Sequence, residues 1–134
     1  MKLLTEEWVS KAEGDFATAE REFAVTTSPN YDAVCFHAQQ CAAKYLKARL
    51  QEANVRFGKT HDLSELLEAV LPLEPDWESL RADLDGLTEF AVDYRYPGEL
   101  ADKQEAKAAL ERCRRVRLKV RQALALPTDE DQDV

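Results

Sequence analysis

From Tyr31 to Ala53 the chain runs 23 residues without a glycine or a proline. Along it Val34, Ala38, Cys41, Tyr45 and Ala48 recur at helical spacing, and Cys35, Ala42, Leu46 and Leu50 widen the stripe. One neighbour cannot hide so broad an apolar surface. The segment therefore has to be a central helix packed by several others. Its start is marked by Asn30, suited to cap the first turn, and by Asp32, which favours the positive end of the helix. "RFGKT" (56–60) closes it, with Gly58 suited to a left-handed turn and Thr60 placed to cap the next helix.

Four further segments share the period. Trp8, Ala12, Phe16, Ala19 and Phe23 predict a helix from Thr5 to about Val25. Leu63, Leu66, Leu67 and Val70 make a short one. Trp77, Leu80, Leu84, Leu87, Ala91 and Tyr94 alternate by three and four, with Pro75 at the first position and Asp76 and Glu78 in the first turn. That alternation is the seam of a helix packed at a shallow angle in a bundle. Ala106, Ala109, Cys113, Val116, Val120 and Ala123 repeat it. All five prolines fall between these segments, and no stretch alternates as a strand does. The expected fold is all-α: an up-and-down four-helix bundle with an additional short helix, one domain over residues 1–126, followed by an acidic disordered tail at 127–134.

The 134 residues suffice for one domain with a real core. No apolar run approaches a membrane span, and "MKLLTEEWVS" has no signal-peptide core. Cys35, Cys41 and Cys113 are odd in number, lack C-x-x-C spacing and sit at apolar helical positions. They read as buried reduced thiols, hence a cytoplasmic protein. The net charge of −8 argues against a protein that coats nucleic acid. Residues 101–126 nevertheless carry eight Lys or Arg against three acids, a local +5 on a remainder of −13. Such a helix can present an anion site, or it can be an ordinary solvated face.

Few residues carry chemistry. His37 stands four positions before Cys41, a spacing that could begin a zinc site, but no further Cys/His cluster supports it and no metal or other cofactor is expected. A histidine hydrogen-bonded within the bundle, with Gln39 and Gln40 at hand to satisfy it, is the simpler reading. Tyr94, Arg95 and Tyr96 suit a phosphate held by the guanidinium while a ring stacks on a base; they equally suit a helix end packed on its neighbour. Lys44, Lys47 and Lys59 can add positive charge or simply solubility. Asp15 and Glu20 are expected to face solvent. Gly-rich phosphate loops, Ser-His-Asp sets and paired catalytic carboxylates are missing from the sequence.

"YDAVCFHAQQCAAKYLKARL" (31–50), "KTHDL" (59–63) and "YRYPGE" (94–99), in that order and at these separations, resemble the HEPN domain family, and "AEGDFATAE" (12–20) fits the same pattern. The resemblance covers nearly the whole chain apart from the tail. It implies a HEPN-like helical bundle, a homodimer, and a partnership with a minimal nucleotidyltransferase in a toxin–antitoxin-type pair. It also implies a nucleotide-binding role. Some members are metal-independent ribonucleases that carry an Arg followed, after four to six intervening residues, by a His near the start of the last long helix.

Arg56 and His61 satisfy that spacing, and the chemistry is sound. An imidazole can move a proton to or from a ribose hydroxyl, and a guanidinium can hold the charge of the transition state. Their place is not the family's: they join the second and third helices. The matching position starts near Arg95, where a His would fall at Leu100, Ala101 or Asp102. The sequence therefore favours a binding and assembly module over an enzyme, with Arg95, Tyr94, Tyr96, Lys59 and His37 as candidate contacts to nucleotide or RNA. A ribonuclease using Arg56 and His61, and a purely structural adaptor, are the alternatives.

Overall fold

The structure, a computed structural model, describes residues 1–89 and 97–128. The helices run α1 (Leu3–Phe23), α2 (Tyr31–Glu52), α3 (Leu63–Val70), a 3-10 segment (Pro75–Leu80) leading into α4 (Arg81–Glu89), and α5 (Lys103–Ala123). No strand occurs among the described residues. Direction follows from which side chains meet. Glu13 reaches Tyr45 and Glu22 reaches the start of α2, so α1 and α2 are antiparallel. Glu13 pairs with Arg117 and Glu20 with Arg114, which sets α5 antiparallel to α1. Asp83 pairs with Arg115 while Gly86 lies against Arg112, which sets α4 antiparallel to α5. The bundle is up-and-down, with short α3 as the additional helix.

As its composition requires, α2 sits at the centre. Val34, Cys35, Ala38, Cys41, Ala42, Tyr45, Leu46 and Leu50 are fully or nearly fully buried. Leu63, Leu66, Leu67 and Val70 cover it from α3, and Ala106, Ala109, Leu110, Cys113, Val116 and Val120 from α5. The three cysteines are free and buried. Burial first, and neighbouring Cys113 next, push the Cys41 thiol well above its ordinary range. No helix among the described residues is long and apolar enough to cross a membrane.

The helix ends differ from expectation in three places. α2 does not turn at Gly58. Asn54 takes the left-handed conformation (φ 59°), with Val55 N–H donating to Leu50 O at 3.0 Å and Asn54 N–H to Gln51 O at 3.1 Å. Asparagine tolerates that backbone, so the chain closes its carbonyls four residues earlier than a glycine search suggests. α3 is capped by Asp62, whose Oδ1 accepts from Glu65 N–H at 3.1 Å; Thr60 accepts from Asp62 N–H one step upstream. The segment from Pro75 opens as a 3-10 turn, which aligns residues three apart and so keeps Trp77 and Leu80 together on the core. At α5 a capping box of Asp102 and Glu105 fixes the start, and Asp32 accepts from Ala101 N–H at 2.7 Å, tying that start to α2.

Candidate functional site

Two polar clusters and one groove hold the chemistry. The first cluster lies where α1, α2 and α5 meet. Glu13 receives Arg117 through two bonds of 2.8 Å and the Tyr45 hydroxyl at 2.6 Å. Arg121 donates to Tyr45 Oη at 3.0 Å and to Pro127 O at 2.7 Å. Burial pushes the Glu13 carboxyl up, but the Arg117 and Tyr45 hydrogen bonds and the two guanidinium charges outweigh it, leaving Glu13 below the ordinary carboxylate range. Tyr45 moves the other way: burial and the bond to Glu13 hold its hydroxyl far above its usual range.

These contacts decide how the basic helix is used. Arg114 pairs with Glu20, Arg115 with Asp83, and Arg117 and Arg121 with Glu13. Three acids of α1 and α4 thus pair with four of the eight cations of α5, so the helix clasps its neighbours through its arginines while Lys103, Lys107 and Lys119 stay exposed. Arg112 is the exception. Its Nη1 is buried with no hydrogen-bond partner among the described residues, and it lies across Gly86, where a Cβ would stand 2.4 Å from Nε.

The second cluster is on the opposite flank of α1 and α2. His37 Nδ1 is 2.8 Å from Asp15 Oδ1, and Lys44 Nζ is 2.6 Å from Asp15 Oδ2. Residues seven apart share a helix face, so one carboxylate binds both. Asp15 is 11% exposed, and the expectation of a solvated Asp15 is corrected. Glutamines do not satisfy His37: Gln40 donates to Gln39, and Gln39 donates to His61 O at 3.0 Å. The histidine is instead an Asp-oriented imidazole with one edge toward Phe36. His37, Asp15 and Cys41 form no metal cluster, and no other group of ligands does so among the described residues.

Positions 37 and 39 are about 200° apart around a helix. The Gln39 bond therefore holds His61 on the far side of α2 from the His37 ring. Arg56 has a third setting. The Asn54 turn throws Phe57 back onto Trp8, edge to face at 5.8 Å between ring centroids. Arg56, Phe57, Val55, Asn54 and Gln51 then line an open groove of about 650 Å³ with Leu4 and Trp8. Arg56 faces this groove, which His61 does not line. Lys59 is exposed in the same connection. Tyr94, Arg95 and Tyr96 lie outside the described residues.

The HEPN domain model matches residues 5–123. The chain belongs to the HEPN family. A solved structure of TT1696 from Thermus thermophilus is similar to this HEPN domain, with 26% identity over 88% of this chain and 96% of that one and a TM-score of 0.70. So is that of ST0689, an archaeal HEPN homologue, with 25% identity over 92% and 98% of the two chains and a TM-score of 0.67. Comparison with curated proteins gives no match.

Sequence reasoning missed Glu13 in this HEPN domain, and it gave Asp15, Tyr45 and Lys47 other settings: a solvated carboxylate, a stripe residue and a soluble charge. Once α1 and α2 are read as neighbouring antiparallel helices, a signal is available: Lys2–Glu52, Glu13–Tyr45 and Glu22–Asn30 all sum to between 52 and 58. That register places Asp15 opposite the span between His37 and Lys44, and Trp8 opposite Lys47.

Proposed function

We propose that this HEPN domain works as a binding and assembly module. It pairs with a second copy, docks a minimal nucleotidyltransferase in a toxin–antitoxin-type pair in the cytoplasm, and takes up a nucleotide or RNA phosphate. It does not cleave RNA by itself. The observation that supports this reading is the separation of the chemical groups. The His37 ring is committed to Asp15 on one side of α2, the His61 backbone is tied to Gln39 on the other, and Arg56 faces a groove lined by neither. A general base and a transition-state cation have to converge on one phosphodiester within hydrogen-bond reach of it. The clasping of α5 by acids supports the same reading, because those arginines hold helices instead of waiting for an anion.

The test is incubation of the purified chain with RNA in EDTA, beside His37→Ala and His61→Ala, with calorimetric titration of AMP and RNA on the same preparations. The expected result is binding without cleavage. Cleavage by the wild type that disappears in either histidine variant overturns the reading, and so does an absence of any nucleotide or RNA binding.

A further inference from the structure

Two of the three free cysteines meet across the core of the bundle, and the clasp beside them fixes their register. Because α1 is antiparallel to both α2 and α5, those two helices run parallel to each other. Glu13 Oε2 accepts from Tyr45 Oη at 2.6 Å and from Arg117 Nε at 2.8 Å, which brings Tyr45 and Arg117 to one level. Cys41 and Cys113 stand four positions before them, one turn back on each helix and on the same two faces. That turn sets Cys41 against Cys113. Both are 0% exposed, and the two thiols share a hydrogen bond. Cys35 lies about 120° round α2 from Cys41 and so points to another face.

The surroundings suit a covalent link. Ala38 and Ala109 follow at the next turn back, both buried, so no large side chain holds α2 and α5 apart there. Helix axes at the usual spacing of about 8–10 Å, less a backbone radius of about 2.3 Å on each side, bring facing Cα atoms within about 6 Å. A disulfide spans about 4.4–6.8 Å between Cα atoms. In the closed bundle the pair is protected. Burial first, and the Cys113 thiol next, keep Cys41 protonated, and only a thiolate reacts. Oxidation therefore waits until α5 lifts from α2.

We propose that Cys41 and Cys113 are a redox pair, which a low-molecular-weight disulfide such as oxidised glutathione converts to a protein disulfide tying α2 to α5. One cysteine thiolate attacks the small disulfide, forming a mixed disulfide and releasing one small thiolate. The second cysteine sulfur attacks the first and releases the other. The protein loses two electrons and two protons, and the small disulfide takes them up as two thiols. The bond lies one turn from the ionic clasp of Glu13, Tyr45 and Arg117 and joins α2 to α5 without any charge. It therefore persists at low pH, where Glu13 takes up a proton and the ionic clasp is lost. The pair acts whether or not a nucleotide, an RNA or a partner protein is bound.

The test incubates the full chain with oxidised glutathione in urea below the unfolding transition. Free thiols are then counted with Ellman's reagent after denaturation, disulfides are mapped by mass spectrometry of unreduced peptides, and melting is followed by circular dichroism. Free thiols fall from three to one, the Cys41 and Cys113 peptides are joined within a single chain, and the melting temperature rises by about 10–20 °C. Dithiothreitol reverses all three changes. Cys35→Ala forms the same bond, whereas Cys41→Ala and Cys113→Ala do not. The wild-type peptide map decides the matter even where a core variant fails to fold. Three thiols that stay free, a bond to Cys35, a bond between two chains, a mixed disulfide that goes no further, or a bonded chain that melts below the reduced one each overturn the pair.

Discussion

Replacing Tyr45 by phenylalanine removes one oxygen from the seam of α1, α2 and α5. That oxygen donates to Glu13 at 2.6 Å and accepts from Arg121 at 3.0 Å, and the residue is fully buried. Hydrogen bonds to charged groups contribute about 1.5–3 kcal/mol each. The loss is not doubled, because Glu13 keeps the two bonds from Arg117 and Arg121 keeps Pro127 O. The expected destabilisation is about 2 kcal/mol at pH 7, equivalent to a fall of about 1 M in the urea midpoint. The effect depends on pH in both directions. Glu13 has a lowered pKa in the fold, so its contribution is complete above its ordinary value of 4.5 and is lost as pH falls below that. Tyr45 has a raised pKa, so above its ordinary value of 10.0 the unfolded chain ionises first and wild-type stability drops. Phenylalanine has no such arm. The gap between wild type and Tyr45→Phe should therefore be widest between about pH 5 and 10 and narrow on either side. Urea unfolding followed by far-ultraviolet circular dichroism, repeated from pH 3.5 to 11.5, measures it. A gap below about 0.5 kcal/mol, or one that is flat across pH, refutes the coupling of Tyr45 to the two charges.

Other substitutions probe separate links. Leu46→Ala, at a fully buried position of α2, should cost about 3 kcal/mol by thermal unfolding, since a central helix packed on several sides cannot collapse onto the cavity. Ala125→Gly should raise the melting temperature by about 2–4 °C, because Ala125 closes α5 at φ 57°, where a Cβ is strained. Asp102→Ala should cost about 1 kcal/mol through loss of the capping box, seen as a lower melting temperature with the same helical content. Lys47→Met should stabilise the chain at pH 7. The unfolded state holds that proton up to the ordinary lysine value of 10.5 while the folded state releases it earlier, so the gain fades as pH approaches 10.5 in denaturant titrations.

Helix number, order and buried faces were legible because they follow from a one-dimensional period. Val34, Leu46, Leu66, Leu84 and Val116 were placed in the core by spacing, and there they are. The Asn30 cap was equally local: its side chain accepts from Ala33 N–H at 3.0 Å. Reading failed where two local signals competed. Gly58 and Asn54 both suit a left-handed residue, and the outcome depended on where Val55 could reach the Leu50 carbonyl. Thr60 and Asp62 both suit a cap, and Asp62 prevailed because Leu63 had to enter the core at the first turn.

Thus the sequence alone determined an all-α bundle, since apolar side chains repeating every three to four residues have only one way to leave water together. The HEPN kinship was written in short blocks along the same chain. Charge had no such local rule. Whether Asp15 was solvated or shared by His37 and Lys44, whether the arginines of α5 were free or clasped, and whether Lys47 was a surface lysine or a buried cation over Trp8 all depended on residues tens of positions away. An ion's state is set by what lies within a few ångströms of it and by how much water it has lost, and only the packing of the helices fixes either one.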